Sequence, residues 1–320
     1  MIWVTWRQHR AQILVTAGFL ALLGALLLVS AVEAGRYVAQ HAPPGCPGPA
    51  AACGDLAVAL GRRYDAVYSV FGWMPLVAPA LIGAFWGAPL LGREYERGTH
   101  RLAWTQSVPV RRWLAVKLSV LGAAVVAGGL ALSLMVSLWR PVFREGVDST
   151  FGNIGVFNMV GVEPAVWWLY AFMLGTLAGA LFRRTLPAMA LVVAGVAVTM
   201  LALFQLSDHY AEPARAELSG TVLLDDPDAR LVSAAWLEPS GQEVAEPAGS
   251  GCPRQVDAGR SGRNTEAWQT CLFGKGYRYV VYHHPASRFW RFQWTEAGIL
   301  VLASAALGAL TVRRTLRRPG

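Results

Sequence analysis

Residues Ile13–Val32 read ILVTAGFLALLGALLLVSAV, twenty consecutive positions without a charge, bounded by Arg10 before them and Glu33 after. A helix rises about 1.5 Å per residue, so this run matches the roughly 30 Å hydrocarbon thickness of a bilayer. The same criterion picks out five more segments: Val67 to Leu91, Leu114 to Leu138, Ala165 to Phe182, Leu186 to Leu206, and Ala297 to Val312. The last is short and is expected to begin earlier, within the aromatic run Phe289 to Trp294. The chain as a whole is 54% hydrophobic and only 15% charged, too apolar to clothe a water-soluble surface of 320 residues. The expected fold class is therefore an α-helical integral membrane protein with six transmembrane helices.

Within these six windows there is no Asp, Glu, Arg or His, and Lys117 is close enough to a window edge to be expected to snorkel to the headgroups. Uncharged spans weigh against a proton- or sodium-coupled carrier, which needs ionisable groups at membrane depth.

Orientation follows from where the arginines fall. Arg7 and Arg10 precede the first span, and Arg93, Arg97, Arg101, Arg111 and Arg112 crowd the loop between spans two and three. Arg183 and Arg184 make the loop between spans four and five, and Arg313, Arg314, Arg317 and Arg318 follow span six. These segments share one side of a six-span topology, so both termini are expected in the cytoplasm. The net charge of +8 is then membrane-flanking charge rather than a nucleic-acid footprint. Before the first span, Ile2, Trp3, Trp6 and Ile13 recur at helical spacing against Arg7, Gln8 and Arg10, as an interfacial amphipathic helix over residues 1–12 would.

The four cysteines, Cys46, Cys53, Cys252 and Cys271, all fall in segments assigned to the outer side, as an oxidising compartment requires of disulfides. The shortest rings come from pairing 46 with 53 and 252 with 271; the rival is a cross-link from the first loop to the segment after span five. That segment, 207–288, changes composition, with Asp225-Asp226-Pro227-Asp228 and a strand signal at Tyr277 to Tyr282. It is expected to form a small extracytoplasmic α/β or mainly β domain, followed by span six and a basic tail over 289–320. No Walker pattern is present, because Gly274-Lys275 is followed by Gly276. No CxxC spacing points to a metal, and none is expected.

Chemistry concentrates instead in the loop 92–113. Arg93, Glu94, Glu96, Arg97, Gly98, Thr99, Arg101 and Trp104 mix both charges with apolar side chains, a composition suited to docking on another protein. The stretch Gly92 to Thr99, then Trp104 to Val108, then Arg111-Arg112-Trp113 and Lys117, resembles the signature after the second span of ABC-2 type transporter permeases. With Trp6-Arg7-Gln8 and His284 to Glu296, the pattern is similar to a group of actinobacterial ABC transporter permeases. That resemblance implies a permease subunit of an ATP-driven exporter in a bacterial plasma membrane, expected to work by alternating access; the uncharged, aromatic-bearing spans are compatible with a hydrophobic or amphipathic substrate moved outward. It implies dimerisation, as a homodimer or paralogue heterodimer, and a separate ABC ATP-binding subunit that carries ATP and Mg, with no cofactor in this chain. By the same resemblance 93–112 would contain the coupling helix, and Trp3, Trp6 and Arg7 would belong to the interfacial elbow helix. The alternatives are a mechanotransmitter that drives the outer domain without transport, or a membrane-anchored receptor or scaffold.

Overall fold

The computed structural model describes residues 2–44, 46, 53–98, 109–143, 150–220, 222, 224–247, 249–252 and 261–317. Among them, six helices are long and apolar enough to cross a membrane. The chain divides into two compact units: a helical one built from 1–148, 154–205 and 291–320, and a sheet-containing one from 149–153 and 206–290.

In the helical unit α1 (Ile2–His41) is the first span. No break separates residues 2–12 from it: the amphipathic opening continues directly into the apolar run, because neither Gly nor Pro interrupts the chain before Gly18. At 40 residues it is about 60 Å long, twice the hydrocarbon thickness, so its ends extend beyond the bilayer. The short α2 (Gly54–Arg63) follows, with Cys46 bonded to Cys53 just before it. Arg63 returns to α1, pairing with Glu33 at 2.5 Å and lying over the Tyr37 ring.

Span two is α3 (Asp65–Ile82), a π turn (Gly83–Gly87) and α4 (Ala88–Glu96). Pro75 and Pro79 inside α3 remove backbone donors, and the ladder re-forms one residue out of step, with Ala88 N donating to Gly83 O. Carbonyls loosened by such a turn need other partners: Phe85 O accepts from Gln12 Nε2 at 2.8 Å. The extra residue also turns Trp86 toward α1, where its Nε1 donates to Thr16 Oγ1 at 3.1 Å.

Span three is α5 (Val110–Trp139); a short α6 (Ile154–Phe157) precedes span four, α7 (Glu163–Phe182); span five is α8 (Thr185–Ser207). The core lies where spans two, four, five and six meet, around Ala88, Trp167, Ala171, Ala178, Val192 and Leu300. Span two against span four is a backbone-to-backbone contact. A Cβ on Gly175 would sit 2.3 Å from Gly83 O, and one on Gly179 would sit 2.5 Å from Ala88 O. The small-residue pair at 175 and 179 is thus the surface on which span two rests. Outward faces stay apolar, with Leu22, Leu186 and Leu302 all more than two-thirds exposed to what must be lipid or another membrane chain.

The second unit carries an antiparallel sheet in the order β1-β4-β2-β3, from β1 (Ala214–Leu218), β2 (Arg230–Leu237), β3 (Glu243–Val244) and, after α9 (Ser261–Gly274), β4 (Arg278–His284). It is an α/β unit: Trp236 of β2 packs edge-on to Trp268 of α9 at 5.4 Å and close to Phe273 and Tyr279. Cys252 is bonded to Cys271, pinning α9 to the preceding loop. Both disulfides are the local ones. The acidic loop works as a set of caps: Asp226 Oδ2 accepts from Ala286 N, and Asp228 Oδ1 from Thr150 N, so residues 149–153, before span four, join this unit beyond the expected 207–288. Span six is α10 (Phe289–Arg317), beginning in the aromatic run as anticipated.

Candidate functional site

The last turn of span two makes contacts with the end of span four and with the cytoplasm-expected beginnings of spans three and five. Arg93 to Glu96 continue α4 instead of entering a loop; Arg97 closes the helix, donating from its backbone N to Arg93 O at 3.0 Å. Gly98 then takes φ of +67°, the left-handed value that ends helices and that a side chain resists. Thr99, Arg101 and Trp104 lie outside the described residues. The chain resumes at Pro109, whose carbonyl accepts from Arg112 N and Trp113 N as span three begins.

Helical spacing sends Glu94 and Glu96 to different partners. Glu94 reaches span three, where its Oε1 pairs with Lys117 Nζ at 2.5 Å. Lys117 does not snorkel, contrary to the expectation from its place in the window. Its side chain is 4% exposed, with the ammonium 4.2 Å from the Trp113 ring centroid. A carboxylate supplied by the neighbouring span removes the reason to reach for water. Glu96 turns instead toward the junction of spans four and five, accepting from Thr185 N at 2.8 Å and Thr185 Oγ1 at 2.9 Å. It caps α8 from outside, placing a negative charge on the positive end of that helix.

The junction itself is tight. Arg183 ends α7 with φ of +53°, unusual for a residue with a Cβ, and its guanidinium lies over the Tyr95 ring at 5.2 Å. Arg184 follows and is exposed, as are Arg93, Arg97, Arg111 and Arg112. Gly92 lets the two backbones close, since a Cβ there would be 3.2 Å from Thr185 Oγ1. The start of α1 meets the π turn of span two through Gln12, whose Oε1 also accepts from His9 Nδ1 at 2.6 Å. Trp3 and Trp6 are exposed, with Arg7 stacked over Trp3 at 5.5 Å.

Of the residues singled out in the sequence, Glu94 and Glu96 are thus drawn into contacts with spans three and five, while Arg93 and Arg97 stay at the surface. Sequence reasoning missed Lys117 and Thr185 as the partners of Glu94 and Glu96, and Tyr95 as the ring beneath Arg183. The lone cation inside an apolar window and a Thr immediately after Arg183-Arg184 were the available signals. Among the described residues, no group of three His, Cys, Asp or Glu side chains is placed to hold a metal ion.

Six helices long and apolar enough to cross a membrane, with arginines clustered at alternate span ends, define a multi-pass membrane protein. The profile described as ABC-2 membrane transporter related matches residues 17–207, well over half of the chain, and the chain belongs to that family. It is therefore a membrane component of an ABC transporter, a permease without an ATPase site of its own, and the family implies an ABC ATP-binding partner. None of the curated proteins and none of the solved structures compared with the chain matches it.

Proposed function

We propose that this chain is the permease subunit of an ATP-driven exporter in a bacterial plasma membrane, and that the braced basic end is where the ATPase subunit docks. The observation that carries this reading is the double anchoring of one helical turn. Glu94 ties the end of span two to span three, and Glu96 ties it to the start of span five. A push on the segment 93–112 is then felt by several spans together, which is what converting nucleotide-driven motion into span rearrangement demands. Exposed Arg93, Arg97, Arg111 and Arg112 supply the charge for an acidic rim on the ATPase or for anionic headgroups. Both termini then lie in the cytoplasm and the sheet-containing unit outside, where its cysteines can oxidise. A dimer of permeases, or a pair of paralogues, with two ATP- and Mg-bearing subunits completes the machine.

The test is to co-express the chain with its ATP-binding partner, purify the complex into nanodiscs, and compare wild type with Glu96→Ala. The expected outcome is an intact complex whose permease-stimulated ATPase activity and ATP-dependent substrate movement both fall several-fold. Full stimulation in the variant would sink this turn as the coupling element; stimulation without movement of any tested lipid, drug or peptide would favour mechanotransmission.

A further inference from the structure

The sheet of the second unit ends on one side in a full strand. β1 pairs with β4 along its whole length, from Ala214 opposite His283 to Leu218 opposite Tyr279, and among the described residues no strand lies beyond it. The opposite edge, β3, is only two residues long. Among the described residues no other backbone group bonds to 214–218, so the outward amides and carbonyls of β1 form a row that another strand can complete.

Shortness, proline and charge ordinarily blunt such an edge. β1 is five residues long, Pro213 immediately precedes it, and it carries Arg215 and Glu217. Those charges do not protect it from a copy of itself. They sit symmetrically about Ala216, so a second β1 laid antiparallel about a two-fold axis through Ala216 sets Arg215 opposite Glu217 of the second copy, and Glu217 opposite its Arg215. Ala214, Ala216 and Leu218 alternate with the charged pair and are half-buried, and in this register Ala214 faces Leu218 while Ala216 faces its equivalent. Apolar thus meets apolar on one face and opposite charges meet on the other, with all five residues overlapping. The neighbouring two-fold registers, centred on Arg215 or Glu217, place like charges directly opposite each other and overlap less.

The charged face can accept a second carboxylate. On its own chain Arg215 meets Glu217 and, at 2.9 Å, Glu243, while Glu217 also pairs with Arg278 at 2.6 Å. Arg215 Nε and one hydrogen on each of its terminal nitrogens serve those contacts, and a guanidinium has two donors more. We propose that β1 pairs antiparallel with β1 of a second copy of this chain, centred on Ala216, so that the two sheets run together as one. The proposal rests on the reading that the permease works as a pair, and it names where identical chains meet in the sheet-containing unit.

The four cysteines are bonded to one another, so an added cysteine is the sole thiol. Full-length variants are expressed in membranes, oxidised mildly and read as cross-linked dimer on non-reducing gels; co-purification of two differently tagged copies reports association separately. Ala216→Cys should cross-link to itself, because directly opposed Cβ atoms lie about 4.5–5.5 Å apart. Ala214→Cys alone should not, since its two copies would be about 14 Å apart, yet it should cross-link when co-expressed with Leu218→Cys. Adding Arg215→Glu to Ala216→Cys should lower the dimer several-fold, and adding Glu217→Arg as well should restore it, although that exchange disrupts the pairs to Glu243 and Arg278 within each chain. Copies that associate without cross-linking at 216 overturn the β1 contact and leave the pairing of permeases standing; copies that do not associate overturn both. Equal cross-linking of Ala214→Cys alone and Ala216→Cys shows random collision and overturns the register. Where Arg215→Glu fails to fold, the mixed 214 and 218 experiment, which alters no charge, still decides.

Discussion

Removing either member of the Glu94–Lys117 pair should destabilise the helical unit unequally, and the exposures say which way. Breaking a buried ion pair by deleting one partner costs about 3–5 kcal/mol, because the other charge is left without compensation. The Lys117 side chain is 4% exposed and that of Glu94 20%, so an abandoned Glu94 recovers some water while an abandoned Lys117 recovers almost none. Lys117→Met should therefore cost about 2–3 kcal/mol and Glu94→Gln about 3–4 kcal/mol, the Trp113 ring offsetting only part of the latter. The double variant should be more stable than the sum of the two implies, with a coupling of about 1.5–3 kcal/mol, since neither orphan charge remains. Equilibrium unfolding of the full chain in mixed micelles, followed by tryptophan fluorescence, reads all four proteins. The reasoning fails if the single effects add within about 0.5 kcal/mol, or if Lys117→Met proves the costlier of the two.

Three further outcomes are expected. Gly175→Ala places a Cβ 2.3 Å from Gly83 O and 2.7 Å from Ala88 N, backbone atoms that cannot swing aside, so thermal unfolding should show a loss of about 1–3 kcal/mol or more. Gly18→Ala, with nothing within 4 Å, should be neutral or slightly stabilising, and equal effects at the two sites would refute the contact. His284 is fully enclosed, and burial, with the charges of Arg288 and Arg230 adding to it, holds its pKa below the ordinary 6.5. The fold thus prefers the neutral ring: the sheet unit should keep its full stability above about pH 6.5 and lose it as pH falls from there toward the depressed folded value. Hydrogen exchange at the β4 amides checks this, and a pH profile just as steep in His284→Gln would count against it. Reducing the Cys252–Cys271 bond, which joins residues 19 positions apart, should loosen α9 and the sheet by about 3 kcal/mol while leaving protease protection of the spans unchanged; simultaneous loss of both would show the two units are not separately stable.

The existence and number of the spans, the clustering of arginines at alternate ends and the local pairing of the cysteines were all readable along the chain. Each depends on a run of neighbours: twenty apolar positions fill a bilayer whatever they touch, and a short ring closes more readily than a long one. The left-handed turn at Gly98 belongs to the same category, since the residue type itself permits it. Hydropathy misplaced the edges. A window that rejects acidic residues stops at Ala165 and Ala297, one or two positions short of Glu163 and Glu296, because it counts every charge as if it faced lipid. Inside a bundle the surroundings are other helices, and a charge there is judged by its partners. Those partners are distant in sequence: Lys117 is 23 positions from Glu94, Thr185 is 89 from Glu96, and Glu296 is 129 from the Trp167 that binds it. The approach of Gly83 to Gly175 is of the same kind, a fact about two helices that neither states alone. Sequence determined that this chain lives in a membrane and which ends of its helices are basic, because those follow from one segment and its solvent. Tertiary structure alone decided which charges are braced and where span two rests, because each is a relation between segments that only packing brings together.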